Sequence, residues 1–244
     1  MPVCNEAAVI AEVVAEWHEH VLSKLPSGSE MLFDDCSVDG TSEILNELNA
    51  AFPYIRVNRS QRDGFFQSAL RLYRLAKNDL LFFTDSDGQY VAADFWKIHQ
   101  HVDDYDMVHG YKAGRNDPFY RKLGSLAFNL AARRCFRSKA IDVNSAFRLI
   151  HRPALDAVLD SIRYLRMMPN AEMYLRLERC GYRIGNVPVR HRARLDGQSR
   201  SLPLAAFLRE GLHSLRGLYL LRHELAAVAD GQTPLPTRNG SNRD

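Results

Sequence analysis

Leu80-Leu81-Phe82-Phe83-Thr84-Asp85-Ser86-Asp87-Gly88-Gln89-Tyr90 is the stretch that decides how this chain reads. Four continuous apolar residues describe a strand buried on both faces, as in parallel sheets. The run then ends in two aspartates. In an extended segment, residues two apart point the same way. Asp85, Asp87 and Gln89 therefore offer two carboxylates and an amide oxygen to one side. In open α/β sheets, ligands bind at the carboxyl ends of strands. Hard oxygen ligands of this kind suit Mg²⁺ or Mn²⁺ holding a diphosphate. A carboxylate pair against an apolar strand end is costly unless a cation or donors compensate it. The competing reading is a polar turn, since Asp and Gly are common there.

Working outward, a second acidic strand end precedes the first. Met31-Leu32-Phe33 runs into Asp34-Asp35, and Ser37, Asp39, Gly40 and Thr41 lead into a helix. A carboxylate there could accept hydrogen bonds from a nucleobase or ribose, or the segment could be a turn with a helix N-cap. Two such ends in one sheet are harder to dismiss than one. The rest alternates strand-like and helix-like runs. Helices are expected over residues 7–25, from Gly40, and over 64–77, 94–101, 119–136, 149–159, 171–179 and 203–228. Further strands are expected over 54–58, 106–110 and 182–191. This predicts an α/β fold, a mostly parallel sheet flanked by helices. Residues 1–200 would form the main domain, 201–230 a C-terminal amphipathic helix, and 231–244 a disordered tail. Met1 to Glu6 reads as the end of a strand, so the first strand is apparently truncated. The expectation is that another segment fills its slot, or that codons upstream encode an apolar run of about five or six residues.

Composition narrows the function classes. The chain has 244 residues and a formal charge of +3, too mild to argue for a nucleic-acid partner. Cys4, Cys36, Cys135 and Cys180 lie far apart, without metal-ligand spacing, and read as buried reduced thiols. No signal pattern opens the chain, and no uncharged apolar run reaches the roughly 18 residues that span a bilayer. Peripheral membrane contact is the alternative. Leu123, Leu126, Ala127 and Leu130 form a stripe flanked by Arg121, Lys122, Arg133 and Arg134. On the last helix, Leu204, Phe207, Leu208, Leu212, Leu215, Leu218 and Tyr219 share one face, either as an interfacial helix or packed on the core.

Three ordered motifs now carry a resemblance. Pro2-x-x-Asn5-Glu6, then Asp34-Asp35-x-Ser37-x-Asp39-Gly40-Thr41, then Asp85-x-Asp87-Gly88-Gln89-Tyr90 resemble family 2 glycosyltransferases of the GT-A, Rossmann-like fold. The nearest branch is the dolichol- and polyprenyl-phosphate sugar transferases. Asp142-Val143-Asn144-Ser145-Ala146-Phe147-Arg148 is similar to that branch's segment beside the acceptor. Glu172, Gly181-Tyr182-Arg183-Ile184, Val187-Pro188-Val189 and Arg194-x-x-Gly197-x-Ser199 are similar to its closing section. Cys4 departs from a usual aromatic, and Arg62-Asp63-Gly64 from Asn-x-Gly.

The resemblance implies roles residue by residue. Pro2, Glu6 and Asp35 would line the nucleotide pocket, with Ser86 beside the donor. Asp85 and Asp87, helped by Gln89, would hold Mg²⁺ or Mn²⁺ and the donor diphosphate, and Arg194 would reach the diphosphate from a loop. Lys112, Arg115, Arg121 and Asp142 would face the acceptor. Glu172 is the best base candidate if the acceptor is a hydroxyl. A phosphate monoester needs no base, because its second pKa is about 6. The implied activity is an inverting, metal-dependent hexosyl transfer from a UDP- or GDP-linked sugar to a polyprenyl or dolichyl phosphate. It would take place in the cytoplasm, at the inner face of a membrane. The alternatives are a hydroxyl acceptor on a glycan or small molecule, and a non-catalytic nucleotide-sugar-binding remnant.

Overall fold

A computed structural model describes residues 1–114, 119–195 and 204–229. Its elements run β1 (Pro2–Val3), α1 (Ile10–His20), β2 (Met31–Asp35), α2 (Thr41–Ala51), β3 (Ile55–Arg59), α3 (Phe65–Leu75), β4 (Leu80–Phe83), α4 (Phe95–His99) and β5 (Met107–Ala113). They continue with α5 (Phe119–Phe136), β6 (Phe147–His151), α6 (Arg152–Leu159), α7 (Pro169–Arg179), β7 (Ile184–Arg190) and α8 (Leu204–Ala229).

The α/β alternation places strands edge to edge in two sheet sections, β1-β2-β3 and β4-β6-β5-β7. The first section is wholly parallel, in the register Pro2↔Asp34 and Met31↔Ile55. In the second, β5 and β7 are parallel, but β6 runs antiparallel to both β4 and β5. The sequence reading missed β6. Phe147, Leu149 and Ile150 run straight into a helix that begins at Arg152, and a short apolar run does not declare its period. Pro153, in the first helical turn, is the signal that could have separated them.

Strand β4 is less enclosed than its composition suggests. Leu81 and Phe83 are buried, whereas Leu80 and Phe82 are half-buried. Its free edge borders a cavity of about 490 Å³, lined by Met1, Trp17, Met31, Leu32 and Phe82 among others. Strand β1 reaches this cavity from the other side. It pairs with β2 through Pro2 and Val3, and the Met1 ammonium donates to Leu32 O at 2.7 Å. Burial pushes that amine down to about 5, against the pull of Asp85 and Asp34. Strand β1 is two residues long, and among the described residues the two sheet sections, β1-β2-β3 and β4-β6-β5-β7, do not pair with each other.

The core closes around aromatic rings. Trp17 of α1 lies 5.1 Å from Phe82, and Phe82 lies 4.8 Å edge-on from Phe147. Helix α8 packs through Leu218, Leu221 and Leu225. Gly217 lets it approach the chain closely, since a Cβ there would meet Tyr164 O at 2.7 Å. The expected apolar face of α8 is therefore split. Leu218 is buried, while Leu212, Leu215 and Tyr219 stay exposed. The expected tail, 231–244, lies outside the described residues, as does the loop 196–203. No described helix is long and apolar enough to cross a membrane.

Candidate active site

Strands β1, β2 and β4 all end on one edge, and each ends in polar side chains. The β4 turn is tight because Gly88 adopts φ 70°, in the left-handed region that favours glycine. A Cβ at Gly88 would also meet Leu195 at 2.5 Å, so the loop after β7 packs directly on this turn. Ser86 points away from its neighbours and donates to Pro2 O at 2.8 Å, tying β4 to β1. Asp85 and Asp87 flank Ser86, close enough that the charge of Asp87 raises Asp85.

The two carboxylates are strained electrostatically. Burial, and then the charge of Asp87, push Asp85 up to about 6; Lys112 and the N-terminal ammonium pull the other way. Asp87 accepts from the Gln89 amide at 3.1 Å and sits 3.6 Å from Arg194. Among the described residues, no three carboxylate, imidazole or thiol groups converge as a complete metal site. Two carboxylates nevertheless fit a divalent cation that takes its other ligands from diphosphate and water. The raised Asp85 marks the charge such a cation would compensate.

The loop after β7 is sewn to this turn. Arg192 N donates to Gln89 O at 2.8 Å, and Gln89 Nε2 donates to Arg192 O at 3.2 Å. Gln89 thus braces the loop with its side-chain nitrogen and its backbone oxygen. Arg192 also bonds Gly88 O and pairs with Glu16. Arg194 makes a two-pronged bond to Glu6, at 2.6 and 2.8 Å. Arg190, Arg192 and Arg194 alternate, so each meets its own acid: Asp94, Glu16, and Glu6 with Asp87. This period-two run of arginines was the signal for Arg190 and Arg192, which the sequence reading passed over.

The loops after β1 and β2 form a dense hydrogen-bond network. Asn5 N donates to Ser37 Oγ at 2.8 Å, and Glu6 N to Thr41 Oγ1 at 2.9 Å, which interlocks the loops after β1 and β2. Asp35 is fully buried and accepts from Ser37 N, Ser42 Oγ and Arg59. Burial alone would push Asp35 up, but those donors outweigh it and hold the group below the usual carboxylate range. Asp35 therefore organises the loop from below instead of lying open in the pocket. Asp34 is held by Asn58, Ser60 and Arg71.

On the opposite flank, Lys112 of β5 lies over the Tyr90 ring, 5.6 Å from its centroid. Tyr90 is fixed by Ser145 Oγ at 2.9 Å and by the Ala146 amide at 3.1 Å. Asp142 is buried and its backbone oxygen accepts from Ser145 N at 3.3 Å. Arg115 lies outside the described residues, and only the backbone of Arg121 is described.

Glu172 is the clearest correction. It is 0% exposed. Its oxygens accept from the amides of Arg163, Tyr164 and Leu165 at 3.0, 2.7 and 2.7 Å, and from Arg176 at 2.9 and 2.7 Å. A general base needs a lone pair within reach of a proton, and these are all engaged. Arg176 continues to Glu224 of α8 at 2.8 Å. Glu172 is a structural anchor, not the base the sequence suggested.

This geometry, paired carboxylates with Arg194 against Asp87 at the end of a strand in an α/β sheet, can be set beside known proteins. The sequence profile described as glycosyl transferase family 2 matches residues 1–159. The chain belongs to that family. It is 28% identical over 201 residues to glycosyltransferase AglD of Haloferax volcanii, covering 78% of this chain and 32% of AglD. It is 24% identical over 206 residues to an undecaprenyl-phosphate 4-deoxy-4-formamido-L-arabinose transferase of Salmonella choleraesuis, covering 82% of this chain and 61% of that protein. The chain thus spans less than two thirds of the length of either relative. In structure it is similar to glucosyl-3-phosphoglycerate synthase of Mycobacterium tuberculosis solved with Mn²⁺, UDP-glucose and phosphoglyceric acid. The TM-score there is 0.63, at 19% identity, over 91% of this chain and 78% of that one. The fold is the GT-A fold.

Proposed function

We propose that this protein transfers a sugar, with inversion, from a nucleoside-diphosphate sugar to a polyprenyl phosphate. The observation that carries the donor half is the Asp85–Asp87 pair, under-compensated at the end of β4 and within 3.6 Å of Arg194. A divalent cation, Mg²⁺ or Mn²⁺, bound there would neutralise charge developing on the departing diphosphate. Asp85 and Asp87 would hold it. Arg194 would turn from Glu6 and Asp87 toward the diphosphate, and Glu6 keeps it within reach. Loops 4–6 and 35–42 would enclose the nucleoside, whose base is uridine or guanosine.

The acceptor half rests on what the site lacks and what it offers. Glu172 has no free lone pair for a base role. A phosphate-monoester oxygen is already anionic near neutral pH and needs cations instead. Lys112 stands on the acceptor flank for that purpose, with Arg115 and Arg121 as further candidates. The Salmonella relative, an undecaprenyl-phosphate 4-deoxy-4-formamido-L-arabinose transferase, supports the same acceptor class.

A lipid acceptor also requires a membrane surface. Leu123, Leu126 and Leu130 of α5 are 55%, 58% and 59% exposed, an apolar stripe turned outward instead of into the core. Lys122, Arg133 and Arg134 flank it and are exposed. Leu212, Leu215 and Tyr219 of α8 extend the apolar surface. We read this face as lying on the membrane that supplies the acceptor.

The test is transfer itself. The protein is incubated with Mn²⁺, polyprenyl phosphate and a panel of UDP- and GDP-sugars, and glycolipid is measured. One donor class should give product, and it should vanish in Asp87→Ala. Product on a sugar hydroxyl but none on polyprenyl phosphate would refute the acceptor assignment.

A further inference from the structure

Four cysteines scattered along the sequence gave no reason to pair any of them. The fold brings two together. Strands β1 and β2 are in the parallel register Val3↔Asp35, and Cys36 N donates to Val3 O at 3.2 Å. Cys4 and Cys36 are the next residues along each strand. In-register neighbours on adjacent strands lie about 4.8 Å apart at Cα, inside the span of about 4.4–6.8 Å that a disulfide bridges. The Cys36 thiol lies against β1, donating to Val3 O at 3.6 Å, and Cys4 is close enough to raise it. Both are half-buried, so a small reagent can reach them, and neither is in a disulfide. Cys135 lies on α5 and Cys180 follows α7.

We propose that Cys4 and Cys36 form a reversible disulfide under a disulfide oxidant, and that this cross-link shuts the nucleoside pocket. The position gives the bond its consequence. The residues just beyond it, Asn5, Glu6, Ser37 and Thr41, are those that interlock the two loops. Asn5 already sits at φ 59° to make that turn, and its side chain accepts from Val38 N at 2.9 Å. Joining the two sulfurs draws the loop bases together and fixes the turn on which a nucleoside must seat. That consequence rests on the pocket assignment made above; the cross-link does not.

The chemistry balances with glutathione disulfide as oxidant. The Cys4 thiolate attacks one sulfur and releases one glutathione thiolate, which takes up the Cys4 proton. The Cys36 sulfur then attacks the mixed disulfide at Cys4 and expels the second glutathione, which takes the Cys36 proton. Two thiols are oxidised and one glutathione disulfide is reduced. Burial and the neighbouring Cys4 push the Cys36 thiol up to about 11, against the pull of Arg62. Few Cys36 thiolates are thus present at neutral pH, which suits Cys36 to the intramolecular second step.

The test treats the whole chain with glutathione disulfide and maps peptides without reduction. A species lighter by two hydrogens, joining the Cys4 and Cys36 peptides, is expected. It should persist in a Cys135→Ser/Cys180→Ser double variant and be absent in Cys36→Ser. Mn²⁺-dependent nucleotide binding should weaken by about tenfold or more and return with dithiothreitol. Glutathione adducts without the cross-link, or a bond to Cys135 or Cys180, would overturn the pairing. A cross-link that leaves nucleotide binding unchanged would overturn the gating. If the reduced protein binds no nucleotide at all, the functional assignment fails, while the mass map still decides the cross-link.

Discussion

Two acidic sites, the Asp85–Asp87 turn after β4 and Glu172 at the start of α7, look alike in the sequence and behave oppositely in the fold. Glu172 is saturated: three amides and one guanidinium hold both its oxygens in a fully buried position. Asp85 and Asp87 are under-supplied. Burial, and then the charge of Asp87, push Asp85 up to about 6, and Arg194, 3.6 Å from Asp87, is shared with Glu6. A buried carboxylate with every lone pair occupied stabilises structure. A pair left short of positive charge at a strand end is set for a ligand that brings it. The contrast between the two sites lies in how fully each acid is satisfied, not in which acids are present.

The sharpest way to break that contrast is to remove one acid from each site. Asp87→Ala should lower turnover about a thousandfold or more while leaving the melting temperature unchanged or raised, because it removes like-charge repulsion. Glu172→Ala should do the reverse. It strands Arg176 without its buried partner and should cost about 3 kcal/mol of stability, with turnover per folded molecule largely retained. A Glu172 variant that folds normally but is inactive would restore the base role.

Arg194→Ala tests the shared cation and should reduce turnover about a hundredfold. Donor affinity should fall with it, since Glu6 and Asp87 would then lie together uncompensated. A smaller effect reports on Asp85 alone. Its folded pKa is raised, so its protonated form favours folding at low pH, and that contribution is lost as pH rises through about 6. A divalent cation binds the ionised form. The melting shift caused by Mn²⁺ should therefore be small at pH 5 and grow as pH passes 6, which differential scanning fluorimetry across pH would register. Smallest of all, Leu126→Asp on α5 should weaken binding to anionic vesicles several-fold without altering the melting temperature.

Much of this was legible in the sequence because the signals were local. The apolar run at Leu80–Phe83 ending in Asp85 and Asp87 announced both the strand and the acidic turn that follows it. The outward stripe of Leu123, Leu126 and Leu130 followed from helical spacing. What was missed depended on partners distant in the chain. The saturation of Glu172 needs Arg163–Leu165 folded back over it and is invisible in one dimension. The same holds for the bond from Gln89 Nε2 to Arg192 O, and for Cys4 and Cys36, 32 positions apart and next to in-register positions of adjacent strands. Strand β6 was lost for a different reason, since an apolar run that flows directly into a helix carries no period of its own.

The central claim is tested most directly by titrating UDP and GDP into the protein by calorimetry, with and without Mn²⁺, in wild type and Asp87→Asn. One nucleotide should bind only with Mn²⁺, and Asp87→Asn should lose that binding while melting normally. Equal nucleotide binding in the presence and absence of the metal, unaffected by the substitution, would contradict the assignment of Asp85 and Asp87 as the carboxylates that hold metal and diphosphate.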